Sequence, residues 1–563
     1  MHIKLLFTVI LILIFFLGAY LRFANLEGNP NGLYVDEAST GVNAWSILKT
    51  GRDEYGKSFP LSFRFLGSYT PPLYTYLTSI VIFFNGFSIT SVRLVSVVSG
   101  VFLIIIFYFI VRSLNILKTK RAVLAGAALF AISPWAIFYS RIGYEINLAF
   151  LLYSLGILFL VLSFNNPKNL IPGFIFLSLS TNAYHSERLL SHITVVCFLI
   201  LFRKTFLNKS NIKILIFGFL MYLFILIPQV LTFFTPANIT RGFGLFYSGE
   251  IVRQIHKLSF LPVFLSAPIA FLREFTSQYL AYFSPRNLFF QSDPDLQRSL
   301  PEISVFYSWE SIFYVIGLFV LIKLIRLRAS KFIIMLFLLA PVPSALTGDP
   351  FSTQRALPLL IPVMIIITLG LDKFFQWRMK FAILVVFIFI TISLLYLYRS
   401  LAVLLPNERA KIWGYGFQEL AKEITKYPDK KFLIDNGRIK PAYIELAFYL
   451  KIPPKNLQDA VDQSVKKKYY LNTSWNDHYI MNGFETRTIN WEEDIYKNQI
   501  LVGDELAISQ QQANEHFLRQ VFEIKSPKGE IIFKGFETNP NLKCASQFIH
   551  GKCNNFVNTD TNF

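Results

Sequence analysis

Long apolar runs constrain the fold of this 563-residue chain more than any other feature. A helix needs about 20 mostly apolar residues to cross a bilayer. The runs predict a mostly α, polytopic membrane protein with about 11 transmembrane helices. The predicted spans are 4–21, 92–112, 122–140, 147–163, 169–183, 189–202, 212–234, 304–325, 332–347, 355–371 and 381–399. A further stretch at 71–87 is short and begins with two prolines, which favours a re-entrant or interfacial helix.

The composition agrees with a membrane protein, since 53% of the residues are hydrophobic and only 16% are charged. Soluble domains are about 25% charged. The net charge of +19 would also suit a nucleic-acid-binding protein. However, basic residues of membrane proteins collect in cytoplasmic connections, and no soluble segment carries a basic stripe with interleaved aromatic residues. We therefore expect the lipid bilayer, and no nucleic acid, as a partner.

Lys and Arg are concentrated in four connections, each of which follows an even-numbered predicted span. The positive-inside rule makes these connections cytoplasmic. They are "SLNILKTKR" (113–121), "RKTFLNKSNIK" (203–213), "KLIRLRASK" (323–331) and "LDKFFQWRMK" (371–380). The first connection (22–91), a long connection at 235–303 and everything after about 400 are then exoplasmic. We expect a multi-pass protein of the plasma (inner) membrane, with its active site on the exoplasmic side.

The chain divides in sequence near residue 400. Residues 1–400 predict a transmembrane domain with the first exoplasmic loop at 22–91, and residues 401–563 a small exoplasmic α/β domain. In the latter, "KKFLIDNG" and "GEIIFKGF" are typical of strands and "YGFQELAKEITKY" of an amphipathic helix. Cys544 and Cys553 could form a disulfide there if the domain is outside the cytosol.

Two adjacent acids, Asp36 and Glu37, follow the first span in "GLYVDEASTGVNAW". Adjacent side chains do not share a face of a helix or strand. We therefore expect one acid to project into a cavity while the other supports it or caps the following helix. The alternative is that both simply stabilise the N-terminus of that helix.

Other ionisable residues lie at the predicted exoplasmic mouths of the spans. Arg presents a planar fork that matches phosphate or carboxylate, so the set favours a site for an anionic group. The alternatives are pairing with a neighbouring acid or anchoring at lipid headgroups, and for the histidine a structural role. The candidate substrate-binding residues are Arg93, Arg141, Glu145, His185, Arg188 and Arg355.

Several motifs resemble those of the GT-C membrane glycosyltransferases, in the branch with dolichyl-phosphate-mannose–protein mannosyltransferases and bacterial aminoarabinose transferases. Over residues 1–400 they are the Asp-Glu pair, "A…L.TG.DEYG…P", "PPLY.YL", "RL.S", "SPW…SR.GYE", "Y.S.RL" and "NLFFQSDPDLQRSLPEISVFYSWE". The resemblance implies inverting transfer of one sugar from a polyprenyl-phosphate donor. It also implies that Asp36 is the catalytic acid residue with Glu37 beside it, and that Arg93 matches a family arginine.

The residue types suit that chemistry. A carboxylate can take the acceptor's proton, and arginines can stabilise the charge that develops on a phosphate leaving group. We expect a mannose-like sugar, hexose or pentose, and a protein, lipid or glycan acceptor. The sequence has no His/Cys cluster, so we expect no metal and no cofactor.

Three other functions stay open. An oligosaccharyltransferase would share the architecture, and "IWGYGFQEL" (412–420) partly resembles the Trp-Trp-Asp-Tyr-Gly motif of those enzymes, but without its second Trp and its Asp. A transporter or flippase of lipid-linked sugars predicts charges at the bilayer midplane and inverted repeats. A structural or receptor-like protein would leave the one-sided polar cluster unexplained.

Overall fold

The computed structural model describes residues 2–236, 248–438, 441–546, 549 and 551–553. The predicted connection at 235–303 contains residues 237–247, and the predicted C-terminal domain ends with residues 554–563. Both stretches lie outside the described residues.

The apolar runs form helices, as they must in lipid, where a backbone has to satisfy its own hydrogen bonds. Among the described residues, seven helices are long and apolar enough to cross a membrane. The number is eight if the bent pair Lys120–Ile132 and Pro134–Arg141 forms one span. The seven are Leu5–Phe23, Ile89–Ser113, Glu145–Ser163, Ile212–Phe233, Arg328–Ala345, Leu357–Trp377 and Met379–Glu408.

The predicted number of about 11 spans is not confirmed. Three predicted spans form helices of only 12, 17 and 14 residues, namely Leu170–Thr181, His185–Leu201 and Glu310–Lys323. The predicted span 122–140 is broken because Pro134 begins a new helix that the Ser133 side chain caps. The Pro-led stretch forms a 13-residue helix, Leu73–Asn85.

The first compact unit comprises Met1–Asn29, Pro60–Leu405 and Tyr470–Thr473. It holds the helices named so far, with Met379–Glu408 only as far as Leu405. It also holds a short antiparallel hairpin of β1 (Phe63–Phe65) and β2 (Ser68–Thr70). Its further helices are Arg203–Phe206, Ser248–Lys257 and Val263–Ala281. Among the described residues, this unit contains six of the seven helices that are long enough to span a bilayer, and the seventh, Met379–Glu408, as far as Leu405.

Glycines bring two helices of the first unit very close together. A Cβ added to Gly317 would lie 1.8 Å from the carbonyl oxygen of Ile366. A Cβ added to Gly370 would lie 2.0 Å from the carbonyl oxygen of Phe313. Helix Glu310–Lys323 therefore packs backbone to backbone on Leu360–Trp377, as small residues allow in membranes.

The second compact unit comprises Pro30–Phe59, Pro406–Tyr469 and Ser474–Phe563. Its six-stranded sheet has the order β4-β5-β3-β6-β8-β7. The strands are β3 (Lys431–Ile434), β4 (Tyr479–Met481), β5 (Phe484–Thr486), β6 (Gln499–Gly503), β7 (Arg519–Lys525) and β8 (Ile531–Glu537). Strand β3 is parallel to β5 and β6, and the other pairs are antiparallel.

Helices and a disulfide complete the second unit. Buried Leu433, Leu501 and Phe536 pack on one face of the sheet. Cys544 and Cys553 form a disulfide with their Cα atoms 5.5 Å apart, as the sequence suggested. The helices are Val35–Thr50, Phe417–Lys426, Ala442–Tyr449, Pro454–Ala460, Gln463–Lys467, Gln510–Glu515 and Pro540–Ser546.

The helix Val35–Thr50, called the acid helix below, carries Asp36 and Glu37. It packs on helices Ala442–Tyr449 and Pro454–Ala460. Residues 30–59, expected as part of the transmembrane domain's first loop, thus belong to the same compact unit as the C-terminal residues.

Candidate active site

The two acids at the start of the acid helix have different surroundings. Glu37 is fully buried, and the backbone N–H of Tyr34 donates to its Oε2 at 3.1 Å. This bond satisfies an amide that the helix itself cannot reach. Asp36 is only partly buried, and it lies in the first turn of the helix. Glu37 therefore caps the helix, and Asp36 is the better candidate for a reacting group.

Two further acids follow the acid helix in "RDEYGK" and are buried in the second unit. Burial raises the pKa of Asp53 to about 6, although the Tyr469 hydroxyl and the amides of Lys57 and Tyr55 donate to its carboxylate and lower it. Glu54 accepts from the Asn43 side chain at 3.0 Å. The sequence did not predict that Asp53 and Glu54 are buried, although "DEYG" belongs to one of the motifs on which the family resemblance rests.

Three buried arginines surround the C-terminal end of the first helix, His2–Phe23. Arg22 donates to the carbonyls of Gly18 and Ala131 at 2.9 and 2.8 Å, and Arg93 donates to that of Leu26 at 2.8 Å. Arg141 donates at 2.7–3.3 Å to the carbonyls of Leu21, Arg22, Ala24, Asn25 and Asn29.

These contacts have a local explanation. The last four carbonyls of a helix have no partner within it, and cations are stabilised at that end by the helix dipole. Arg141 therefore closes the end of the first helix. The phosphate contacts expected of Arg93 and Arg141 stay predictions.

Three more predicted site residues lie at helix N-termini of the first unit. Glu145 begins helix Glu145–Ser163, where an acid is favoured. His185 begins helix His185–Leu201, and its Nε2 lies 2.9 Å from the carbonyl oxygen of Tyr69. Arg188, one turn further on, donates from Nε to the carbonyl of Thr181 at 3.4 Å. Their predicted roles in substrate binding are not tested by these contacts.

Arg355 pairs with an acid in its own connection. Its Nη1 lies 2.5 Å from Asp349 Oδ2, and it also donates to the hydroxyl of Thr347 at 3.0 Å. Arg298 contacts the same Asp349 oxygen at 3.1 Å. Partial burial opposes ionisation of Asp349, but the guanidiniums of Arg355 and Arg298 hold its pKa below the usual value. The expected role of Arg355 as a phosphate ligand stays a prediction.

Arg298 and its neighbouring acids are not among the predicted site residues. Besides Asp349, Arg298 contacts Asp295 at 3.0 Å and the fully buried Asp293 at 3.6 Å. Asp293 also accepts from the amide and hydroxyl of Thr353 at 3.0 and 2.8 Å. The signal in the sequence that could have revealed this cluster is the pattern of alternating acids followed by an arginine in "SDPDLQRS". Through these contacts, the segment with Asp293 and Arg298 is bonded to the connection that carries Arg355.

The eight predicted site residues are divided between the two units. Asp36 and Glu37 belong to the second, and the six substrate-binding candidates belong to the first. Within the first unit, Arg93 and Arg141 both contact the chain that follows the first helix.

Comparison with solved structures gives the fold. ArnT from Cupriavidus metallidurans bound to undecaprenyl phosphate is similar, with 12% identity, 94% of this chain and 97% of that chain covered, and a TM-score of 0.51. AglB, an archaeal oligosaccharyltransferase from Archaeoglobus fulgidus in complex with an inhibitory peptide and a dolichol-phosphate, is similar too. It has 12% identity, 94% and 74% coverage and a TM-score of 0.52. The chain has the GT-C fold. No family model and no curated protein match it.

The GT-C fold confirms the fold expected from the motifs of residues 1–400. With its long apolar helices, it makes the chain a multi-pass membrane protein. Fold alone leaves the reaction open.

Proposed function

We propose that the chain is an inverting glycosyltransferase that moves a single, mannose-like sugar from a polyprenyl phosphate to a protein, lipid or glycan acceptor. The observation that carries the proposal is the different environment of the two acids in a GT-C fold. Glu37 is buried and caps its helix, while Asp36 is partly exposed in the first turn. The polyprenyl phosphates bound to ArnT and AglB support the donor class.

Asp36 is the general base in this mechanism. As the acceptor hydroxyl oxygen attacks the anomeric carbon of the sugar, its proton passes to the Asp36 carboxylate. The bond between that carbon and the phosphate oxygen breaks on the opposite face, so the configuration inverts. The polyprenyl phosphate leaves with the bonding electrons and needs no acid. Arg93, Arg141, Arg188 and Arg355 are the candidates to stabilise its charge.

The proposed location follows from the charge of the connections. The Lys/Arg-rich connections would face the cytoplasm, which leaves Asp36 and the second unit on the exoplasmic side of the plasma membrane. The disulfide between Cys544 and Cys553 supports an oxidising compartment for that unit.

The test uses radiolabelled undecaprenyl-phosphate mannose, the purified protein and crude membranes as acceptor. Asp36→Asn should lower label transfer at least about 100-fold, as loss of a general base does. The exposed Asp429 of the same unit provides the control Asp429→Asn, which should keep wild-type activity. An Asp36→Asn variant as active as the wild type would leave both acids as helix caps and remove the proposal.

An oligosaccharyltransferase is the second candidate, because AglB is as similar in fold as ArnT. It would transfer a preassembled oligosaccharide to an asparagine. Offering both the mannosyl phospholipid and a lipid-linked oligosaccharide separates the two. Transfer of the oligosaccharide alone, with a product that is released by an amidase specific for asparagine-linked glycans, would favour the second candidate.

A further inference from the structure

The turn Trp413-Gly414-Tyr415-Gly416 packs against the chain that leads into the acid helix, within the second unit. Gly32 has φ +116°, and a Cβ added to it would lie 2.2 Å from the carbonyl oxygen of Trp413. Gly414 has φ +71°, and its added Cβ would lie 2.5 Å from the carbonyl oxygen of Leu33. Each position therefore needs glycine for both its backbone conformation and its close contact.

Aromatic packing fixes the same junction. Trp413 is fully buried, and its ring centroid lies 5.7 Å from that of Tyr34 in an edge-on arrangement. Tyr34 is the residue whose amide is capped by Glu37. The turn thus contacts the residues immediately before Asp36. Its backbone lies so close to theirs that no side chain fits between the two segments.

The C-terminal part of the acid helix is held by a second set of contacts. Asn43 and Glu54 exchange two hydrogen bonds of 3.0 Å, and the Tyr443 hydroxyl donates to Glu54 at 3.2 Å. The Gln458 amide donates to Ser46 at 3.1 Å. Glu54 and Asn43 are buried, where satisfied polar networks define a single arrangement.

We infer that the Trp413–Gly416 turn and Tyr443 are positioning residues that place Asp36 for catalysis, an inference that rests on the proposed function. The turn sets the position where the acid helix begins, and Tyr443 sets its orientation through Glu54. The role of this turn is then to hold the base.

The effect of the turn on the rate should be large, because catalysis tolerates only small displacements of the reacting groups. A displacement of about 1 Å far from the chemistry can lower the rate about 100-fold. A change in the turn should therefore lower kcat and leave the KM for the donor nearly unchanged, because Asp36 acts on the acceptor's proton.

The experiment compares Gly414→Ala with Gly529→Ala in the full-length protein. Gly529 also has a positive φ, +86°, in the same unit, but its added Cβ would meet nothing within 4 Å. With undecaprenyl-phosphate mannose as the probe, Gly414→Ala should lower kcat at least about tenfold with the KM within about threefold, whereas Gly529→Ala should keep kcat within about twofold. Tyr443→Phe, which keeps the ring, should also lower kcat.

An Asp36→Asn background tests whether the turn acts through Asp36. Residues that act as a unit are not additive, so Gly414→Ala should lower the residual activity of that variant by less than about twofold. An equal loss in both backgrounds would overturn the inference, as would wild-type kcat in both Gly414→Ala and Tyr443→Phe.

Hydrogen exchange of the acid helix separates this inference from the proposed function. Gly414→Ala should speed amide exchange in Val35–Val42, while Gly529→Ala should not. If Asp36→Asn proves fully active, the proposed function fails, yet faster exchange would still show that the turn holds the helix. Unchanged exchange in Gly414→Ala overturns the inference whatever the activity.

Discussion

A guanidinium can donate hydrogen bonds to a backbone carbonyl as well as to a phosphate. Arg141 shows why its partner is hard to predict from sequence. The sequence places this residue at an exoplasmic mouth, which predicted an anion ligand. In the structure its two terminal nitrogens donate to carbonyls at the end of the first helix. Sequence cannot separate these roles, because the carbonyls belong to residues more than 100 positions away in the chain.

The acid pair was more predictable, since helical geometry alone requires two neighbouring side chains to point in different directions. The capping bond from Tyr34 to Glu37 then distinguishes the two acids. The buried state of Asp53 and Glu54 could not be predicted, because it depends on Tyr469 and Tyr443, which lie far along the chain.

Asp53 should make stability depend on pH. Burial raises its pKa to about 6, so its neutral form is favoured in the folded state. Its contribution is fully present below the unfolded-state pKa of about 4 and is lost as the pH rises through 6, a change of about 3 kcal/mol.

Thermal unfolding of wild type and Asp53→Asn between pH 4 and 7 measures this effect. Wild type should lose stability relative to Asp53→Asn as the pH rises across that window. The exposed Asp429→Asn should run parallel to wild type. Parallel curves for wild type and Asp53→Asn would mean that Asp53 ionises normally in the fold.

At the scale of elements, periodicity predicted some of the strands and helices of the second unit and missed others. Strand β3 falls within "KKFLIDNG" and helix Phe417–Lys426 within "YGFQELAKEITKY". Strand β8 begins within "GEIIFKGF" and extends one residue past it, to Glu537. Strands β4, β5, β6 and β7 were missed. Strands β4 and β5 have only three residues, and so short a segment carries no readable alternation. Helix lengths in the first unit were missed for a related reason, since hydropathy does not register a break such as that at Pro134.

The glycine contact between helices Glu310–Lys323 and Leu360–Trp377 gives a prediction. Gly317→Ala places a methyl group 1.8 Å from the carbonyl oxygen of Ile366, and such overpacking should destabilise the protein by about 1–3 kcal/mol. Thermal unfolding in detergent would measure the loss.

Gly249 provides the control for that prediction. It lies in helix Ser248–Lys257, and its added Cβ would meet nothing within 4 Å. Gly249→Ala should therefore be neutral or slightly stabilising, because alanine is the better helix former. Equal stability of Gly317→Ala and wild type would mean that the two helices are less closely packed than described.

At the scale of the whole molecule, the sequence suggested a division near residue 400, from the change in composition there. The structure groups residues 30–59 with the residues that follow 405. Local composition and periodicity contain no sign of this grouping. It depends on contacts such as Tyr443 with Glu54, between segments that are distant in the chain.

The disulfide should stabilise the second unit. Cys544 and Cys553 are 9 positions apart and buried. A loop of this length contributes about 2.5 kcal/mol in the chain-entropy account. Cys544→Ser or treatment with dithiothreitol should therefore lower the melting temperature. Reduction should also raise the intact mass by about 2 Da, the mass of two hydrogen atoms.

Cys197 is the matched control, since it is a free cysteine in helix His185–Leu201. Cys197→Ser should leave the effect of dithiothreitol unchanged. Thiol labelling of all three cysteines in the untreated protein would show that the bridge does not form.

The second unit combines residues 30–59 with segments that follow residue 405, and this has a consequence for biosynthesis. Residues 30–59 are made before residues 60–405, and their partners follow. At about 5–20 residues per second, the acid helix waits roughly 20 to 70 s for Trp413 and Tyr443. Ribosomes that stop within that interval release chains with membrane helices but without the residues that support Asp36. Under the proposed function, a chain competent for transfer exists only once translation has passed the helix Met379–Glu408 and reached Trp413 and Tyr443.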